Sequence, residues 1–172
     1  VHLYEDFGAG AVEKLRGMFA FALWDSRKRE LLVARDRLGI KPFYFHSAPG
    51  RLLFASEIKA LLPATDREVD RSALFDFFTY KYTPGEKTIY RHVRKLLPGH
   101  CREYEAGAAP VIRRYWHPVS TPQIREPEAA LAAFSDTISR IVPEHTLADV
   151  PVGLFLSGGL DSSLLATLAA RL

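Results

Sequence analysis

The 172 residues carry 23 basic and 20 acidic side chains, a formal net charge of +3, with 48% hydrophobic and 25% charged residues. That balance belongs to a folded globular chain and excludes disordered or low-complexity classes. The charges are dispersed, so the clustered basic face that nucleic-acid binding needs is missing, and the longest apolar runs, 18–24 and 152–156, are far too short to span a bilayer.

In chain order, the opening Val1-His2-Leu3-Tyr4-Glu5-Asp6 lacks the charged, apolar, small-residue order of a secretory leader, and none is expected. The absence of an initiator Met, and an end at Leu172 within a helical pattern, lead to the expectation that both ends are cuts through a longer chain. A short amphipathic segment closes over residues 12–15 and Gly17 breaks it. Residues 19–24 are aromatic-rich and of strand length, Asp25-Ser26-Arg27-Lys28 is turn material, and 31–34 is a second strand, so the pair reads as a hairpin. Beyond Leu38-Gly39, residues 43–45 and 52–54 flank a Pro49-Gly50 turn as a further pair. Ser56 is expected to cap a helix over 57–62 that Pro63 stops. Together these predict about four antiparallel strands and a covering helix.

Asp70 is a good N-cap for a second helix, with Leu74, Phe75, Phe77 and Phe78 as its broad apolar face. After Pro98-Gly99-His100, residues 101–104 and 111–115 read as a strand pair. The sole cysteine, Cys101, lies in it, which rules out an internal disulfide and fits a reducing, cytoplasmic setting. Three prolines with Ser and Thr across 118–127 read as a linker and the best domain boundary. Leu131, Phe134, Ile138 and Ile141 then repeat at helical spacing, and Pro143 is expected to close that helix. Residues 152–156 are wholly apolar, the pattern of a parallel strand buried on both faces. A helix with Leu164, Leu165 and Leu168 on its stripe follows.

Between that strand and helix lies Ser157-Gly158-Gly159-Leu160-Asp161-Ser162-Ser163. Paired glycines let the backbone turn tightly and approach a ligand closely. The amides at the helix start offer donors and a positive dipole end to an anion, and Ser157, Ser162 and Ser163 add hydroxyls. A carboxylate beside phosphate is repelled unless a cation intervenes, so Asp161 reads as facing Mg²⁺ through water. The spacing matches neither Gly-x4-Gly-Lys-Ser/Thr nor Gly-x-Gly-x-x-Gly. The competing reading is a plain turn with Asp161 as helix N-cap.

The loop resembles the SGGxDS pyrophosphate loop of ATP-pyrophosphatase enzymes. Upstream, three strings look like the class II glutamine amidotransferase domain of the asparagine synthetase family: Arg16-Gly17-Met18-Phe19-Ala20-Phe21-Ala22-Leu23-Trp24-Asp25, Ala34-Arg35-Asp36-Arg37-Leu38-Gly39-Ile40-Lys41-Pro42-Phe43-Tyr44, and Phe54-Ala55-Ser56-Glu57-Ile58-Lys59-Ala60-Leu61. Lys95-Leu96-Leu97-Pro98-Gly99-His100 resembles the segment that leaves that domain. The resemblance implies an α/β (α+β overall) chain. Residues 1–117 would be part of an N-terminal-nucleophile αββα glutaminase domain, 118–127 a linker, and 128–172 the first βα unit of a Rossmann-like synthetase domain. It implies ATP and Mg²⁺ as cofactors, and glutamine and aspartate as the other substrates of the full-length enzyme. It also implies no nucleic-acid or membrane partner, and a homodimer as one option. Ammonia from glutamine would attack a β-aspartyl-AMP, giving asparagine, AMP and pyrophosphate.

Residue by residue, Leu156, Ser157, Gly158, Gly159, Asp161, Ser162 and Ser163 match the ATP-binding segment, and Met18 and Ile40 match positions lining the ammonia tunnel, with ordinary core residues as their alternative. Arg35, Asp36 and Gly39 read as a charge pair and tight turn, Glu57 as a helix cap or partner of a base, and Cys101 as packing. The six histidines show no metal spacing. The family's nucleophile is an N-terminal cysteine and this chain begins with Val1, so no catalytic residue is carried over and the chain alone is expected to be inactive. The alternatives are a relative acting on another carboxylate, as in β-lactam synthetase or polysaccharide- and peptide-modifying clusters, and a non-catalytic interaction module.

Overall fold

The computed structural model describes residues 1–121 and 123–172. Pro122, within the expected linker, lies outside the described residues. The chain divides into two units, Val1–Pro118 and Val119–Leu172.

The first unit opens with two short helices, α1 (His2–Phe7) and α2 (Ala11–Lys14). β1 (Ala20–Asp25) and β2 (Glu30–Arg35) form an antiparallel hairpin, in register from Ala20 opposite Arg35 to Asp25 opposite Glu30. The Asp25 carboxylate accepts the amides of Arg27 at 2.9 Å and Lys28 at 3.1 Å, which closes the turn. β3 (Tyr44–Ala48) and β4 (Arg51–Ala55) form the second hairpin, and α3 (Arg71–Tyr80), β5 (Arg94–Lys95), β6 (His100–Glu105) and β7 (Val111–Arg114) complete the unit. The strands make two sheets, ordered β1-β2-β6-β7 and β4-β3-β5.

Alternation along β2 joins the layers, because successive side chains face opposite sides. Leu32 and Ala34 meet Val12 and Cys101 on one face, with Tyr4, Phe19, Phe21 and Tyr115 around them. Val33 points the other way, into a cluster with Phe45 of the second sheet and with Phe43 and Leu96, which flank its strands β3 and β5. A fully buried Leu or Val of this kind contributes about 1.5–3 kcal/mol. Arg102 spans the same gap: it is 8% exposed, its guanidinium sits 4.3 Å over the Phe45 ring, and a terminal nitrogen is 3.5 Å from Glu86. The mixed α/β architecture with antiparallel sheets agrees with the expected fold class at that level.

Three local expectations change. No α-helix covers 57–62. The segment forms two 3-10 turns, Ile58–Ala60 and Leu62–Ala64, and neither Ser56 nor Glu57 caps by its side chain. Pro63 restricts the residue before it, and what remains is too short to repay helix nucleation. α3 does start at Asp70, whose carboxylate accepts the amides of Ser72 and Ala73, but its apolar face is uncovered: Ala73 is buried while Phe75 is 72% and Phe78 68% exposed.

In the second unit, α4 (Pro127–Thr146) runs through Pro143 rather than stopping there. The missing donor falls in the last turn, where exposed carbonyls can turn to water, and Thr146 Oγ1 donates to the Pro143 carbonyl at 3.0 Å. Residues 152–156 form no strand, and Phe155 is fully exposed. A strand is a property of paired backbones, and an apolar run with no neighbour remains extended coil. α5 (Leu160–Ala169) packs against α4. Among the described residues, no helix is long and apolar enough to cross a membrane.

Candidate functional site

The glycine-serine loop enters α5 directly. Gly158 has φ 78°, the left-handed region that favours glycine, and open space surrounds its Cα. Backbone conformation, then, demands glycine here, and crowding does not. Gly159 is extended and occupies the N-cap, with no side chain capping the helix. Asp161 lies in the first turn, two residues past the cap, so the alternative of a turn capped by Asp161 does not describe this helix start.

The hydroxyls gather at the same place. Ser162 Oγ donates to the Gly159 carbonyl at 3.0 Å and lies 3.0 Å from Ser157 Oγ, which accepts the Gly159 amide at 3.4 Å. The first intrahelical bond runs from the Ser163 amide to the Gly159 carbonyl at 3.0 Å. The amides of Leu160, Asp161 and Ser162 precede it and have no i−4 carbonyl to bond. Leu156 and Leu160 are 64% and 86% exposed. The loop is an uncapped helix start, ringed by hydroxyls and open to solvent. Chemically, it is able to receive an anion.

In the first unit, the turn after β2 is the most heavily bonded element. The Asp36 side chain is 1% exposed. Its Oδ1 accepts the amides of Leu38 at 3.1 Å and Ile40 at 3.0 Å, and its Oδ2 accepts that of Lys41 at 2.9 Å. Its carbonyl accepts the amides of Gly39 and Gly99 at 3.1 and 2.9 Å. Burial works to raise the Asp36 carboxyl, but the amide hydrogen bonds outweigh it and hold the group below the ordinary aspartate value.

Arg35 does not pair with Asp36 as the sequence suggested. Its guanidinium donates to three carbonyls instead, those of Lys41 at 2.8 Å, Leu96 at 2.6 Å and Gly39 at 2.6 Å. Tyr115 Oη donates to the Arg35 carbonyl at 2.6 Å, and burial pushes its hydroxyl up to about 12. Gly39, at φ 68°, has no room for a side chain: a Cβ would lie 2.7 Å from Pro98 Cγ. The sequence signal for this cage was an Asp followed three residues later by Gly at a strand end, the pattern of a carboxylate-bonded turn.

Met18 and Ile40 are 43% and 53% exposed. Met18 lines an open cleft with Phe19, Ala20, Lys41, Pro42 and Ser56, and Ile40 is the residue before Lys41 rather than part of that lining. Asp36 ties the two segments together, its amide donating to the Phe19 carbonyl at 2.8 Å.

Cys101 is fully buried on β6 opposite Ala34. Burial pushes its thiol up against the opposing pull of Arg113, and a neutral, enclosed thiol packs rather than attacks. Glu57 pairs with Lys59 at 2.6 Å on the surface. Among the described residues no group of three or more His, Cys, Asp or Glu could hold a metal ion. His46 and His100 each bond a backbone carbonyl at 2.8 Å through Nδ1.

Two family models match the chain: glutamine amidotransferase domain over residues 1–116 and asparagine synthase over residues 133–172. A Mycobacterium tuberculosis relative is 40% identical over 177 residues, which cover 98% of this chain and 27% of that protein. Asparagine synthetase (glutamine-hydrolyzing) 1 of Bacillus subtilis is 36% identical over 167 residues, 96% of this chain and 26% of its own. Amidase chyE of Penicillium rubens is 33% identical over 177 residues, all of this chain and 26% of its own. The chain thus spans about a quarter of the length of the curated relatives it matches.

Proposed function

The chain belongs to the glutamine amidotransferase domain family, and from that premise we propose that it is the junction region of a glutamine-dependent asparagine synthetase. The observation that carries this reading is order: an amidotransferase match is followed by an asparagine synthase match that contains the glycine-serine loop. The first unit is the corresponding part of an N-terminal-nucleophile glutaminase domain. Within the second unit, residues 128–172 are the start of a Rossmann-like domain that activates aspartate with ATP.

An aspartate side chain is a poor acyl donor until its oxygen joins a good leaving group. Adenylation supplies one, and ammonia then displaces AMP to leave asparagine. Here the amides at the start of α5, with Ser157, Ser162 and Ser163, hold the pyrophosphate that departs, and Leu156 and Gly158 shape the approach to it. Asp161 suits Mg²⁺, since the carboxylate and the neighbouring hydroxyls are all hard oxygen donors. Magnesium, when bound, screens the phosphate charge from that carboxylate. Met18 and Ile40 line the route by which ammonia leaves the glutaminase side.

The amidase-named relative keeps an acceptor other than aspartate as the second reading, at lower identity than the relative named for asparagine synthesis. Full-length protein given ATP, Mg²⁺, glutamine and aspartate should release pyrophosphate and AMP only when aspartate is present, with asparagine forming in step. Pyrophosphate release that ignores aspartate but answers to another carboxylic acid selects the second reading, and ADP in place of AMP overturns both. Gly158→Ala, at φ 78°, should lower this activity about tenfold or more by misplacing the first-turn amides, while leaving glutamine hydrolysis unchanged.

A further inference from the structure

We infer that Asp36 is a positioning residue for ammonia transfer: its carboxylate sets the turn that carries Ile40 against the Met18 segment, and so keeps glutamine hydrolysis coupled to amide formation. The inference rests on the reading of Met18 and Ile40 as lining the ammonia route.

The geometry is more specific than a stable turn requires. Three groups of the turn, the amides of Leu38, Ile40 and Lys41, converge on one buried carboxylate. Of these, Ile40 is bonded by Oδ1 while its neighbour Lys41 is bonded by Oδ2, so both peptide planes flanking Ile40 are oriented by the same side chain. The Asp36 amide meanwhile fixes the carbonyl of Phe19, the residue after Met18. One residue therefore ties both segments. From the outer side, Arg35 grips the carbonyls of Gly39 and Lys41, again on either side of Ile40. Met18 lines a cleft together with Lys41 and Pro42, the two residues that follow Ile40, and Met18 and Ile40 are each about half exposed, so the polar frame fixes the turn along one side of that cleft. Such a frame makes the position of Ile40 and of the turn beside the cleft reproducible, because the turn cannot drift.

Asp36→Asn keeps Oδ1 and its two bonds but turns an NH₂ group toward the Lys41 amide, setting donor against donor next to Ile40. Gly39→Ala displaces the same turn by another route, since the added Cβ would lie 2.7 Å from Pro98 Cγ. Asp25→Asn is the control: its carboxylate also holds turn amides, at the far end of the same hairpin. In the full-length protein, glutamate formed per asparagine is measured with glutamine as nitrogen donor. Asp36→Asn and Gly39→Ala should each raise that ratio about threefold or more, since small misplacements at a guided path have large effects. Asp25→Asn should leave it at the wild-type value, and added ammonium should restore asparagine formation in both turn variants. A folded Asp36→Asn protein with an unchanged ratio overturns the inference, as does a ratio that climbs equally in Asp25→Asn. If neither turn variant folds, the cage is a folding element only and the inference also falls. Failure of the underlying reading has its own signature, namely wild-type protein whose glutamine hydrolysis never tracks amide formation, or Met18→Ala and Ile40→Ala variants with wild-type ratios.

Discussion

At Asp36 a single carboxylate receives amides from Leu38, Ile40 and Lys41 while almost wholly removed from water. Its pKa lies below the 3.8 of an ordinary aspartate, so the unfolded chain takes up its proton first as pH falls. The ionised group adds stability above that value and the contribution disappears as pH drops through the depressed folded value. Asp25 and Asp70 shift in the same direction, each held down by hydrogen bonds to its own turn or cap. The acid limb of stability is therefore a sum. Asp36→Asn should remove one part of it, seen as a shallower fall in the urea midpoint as pH drops below the ordinary aspartate value of 3.8. Residue identity alone announced the Asp-to-Gly turn, but not which partners it would take. Arg35 and Asp36 are adjacent opposite charges, yet each finds backbone groups at better geometry than its neighbour offers.

Among the elements, α3 shows what a local signal can determine. Asp70 was legible as a cap because a short acceptor before a helical run can reach the first free amides, and it accepts those of Ser72 at 2.9 Å and Ala73 at 3.2 Å. Asp70→Ala should cost about 1 kcal/mol in chemical denaturation. The hairpins were legible for the same reason, since β1 and β2, and β3 and β4, are bounded by turn residues and pair with their sequence neighbours. Where a conformation depends on distant partners, the local pattern misled. Residues 152–156 have strand composition and, among the described residues, no strand beside them. Pro143 misled in the opposite sense, because a helix tolerates proline where the lost bond falls in its final turn.

Over the whole molecule, apolar burial is uneven. Two clusters on the faces of the first sheet anchor Val1–Pro118, whereas Val142 is the buried hydrophobic residue of Val119–Leu172 among those described. A chain ending at Pro118 should therefore keep a cooperative urea transition, while 119–172 alone should show helical circular dichroism and melt without a sharp midpoint. A transition lost on removing 119–172 would show that the second unit supports the first. The two family matches fall one in each unit, which is why the order of motifs could be read before any tertiary contact was known.

The chain's one sulfhydryl, on Cys101, is sealed in the cluster it shares with Val12, Leu32 and Ala34, which must open before a reagent can reach it. Alkylation by iodoacetamide therefore becomes a clock for the opening of that cluster, read out without any engineered label. Fraying at the chain ends leaves that clock untouched, and it starts when the cover that Val12 and its neighbours give Cys101 lifts from the sheet.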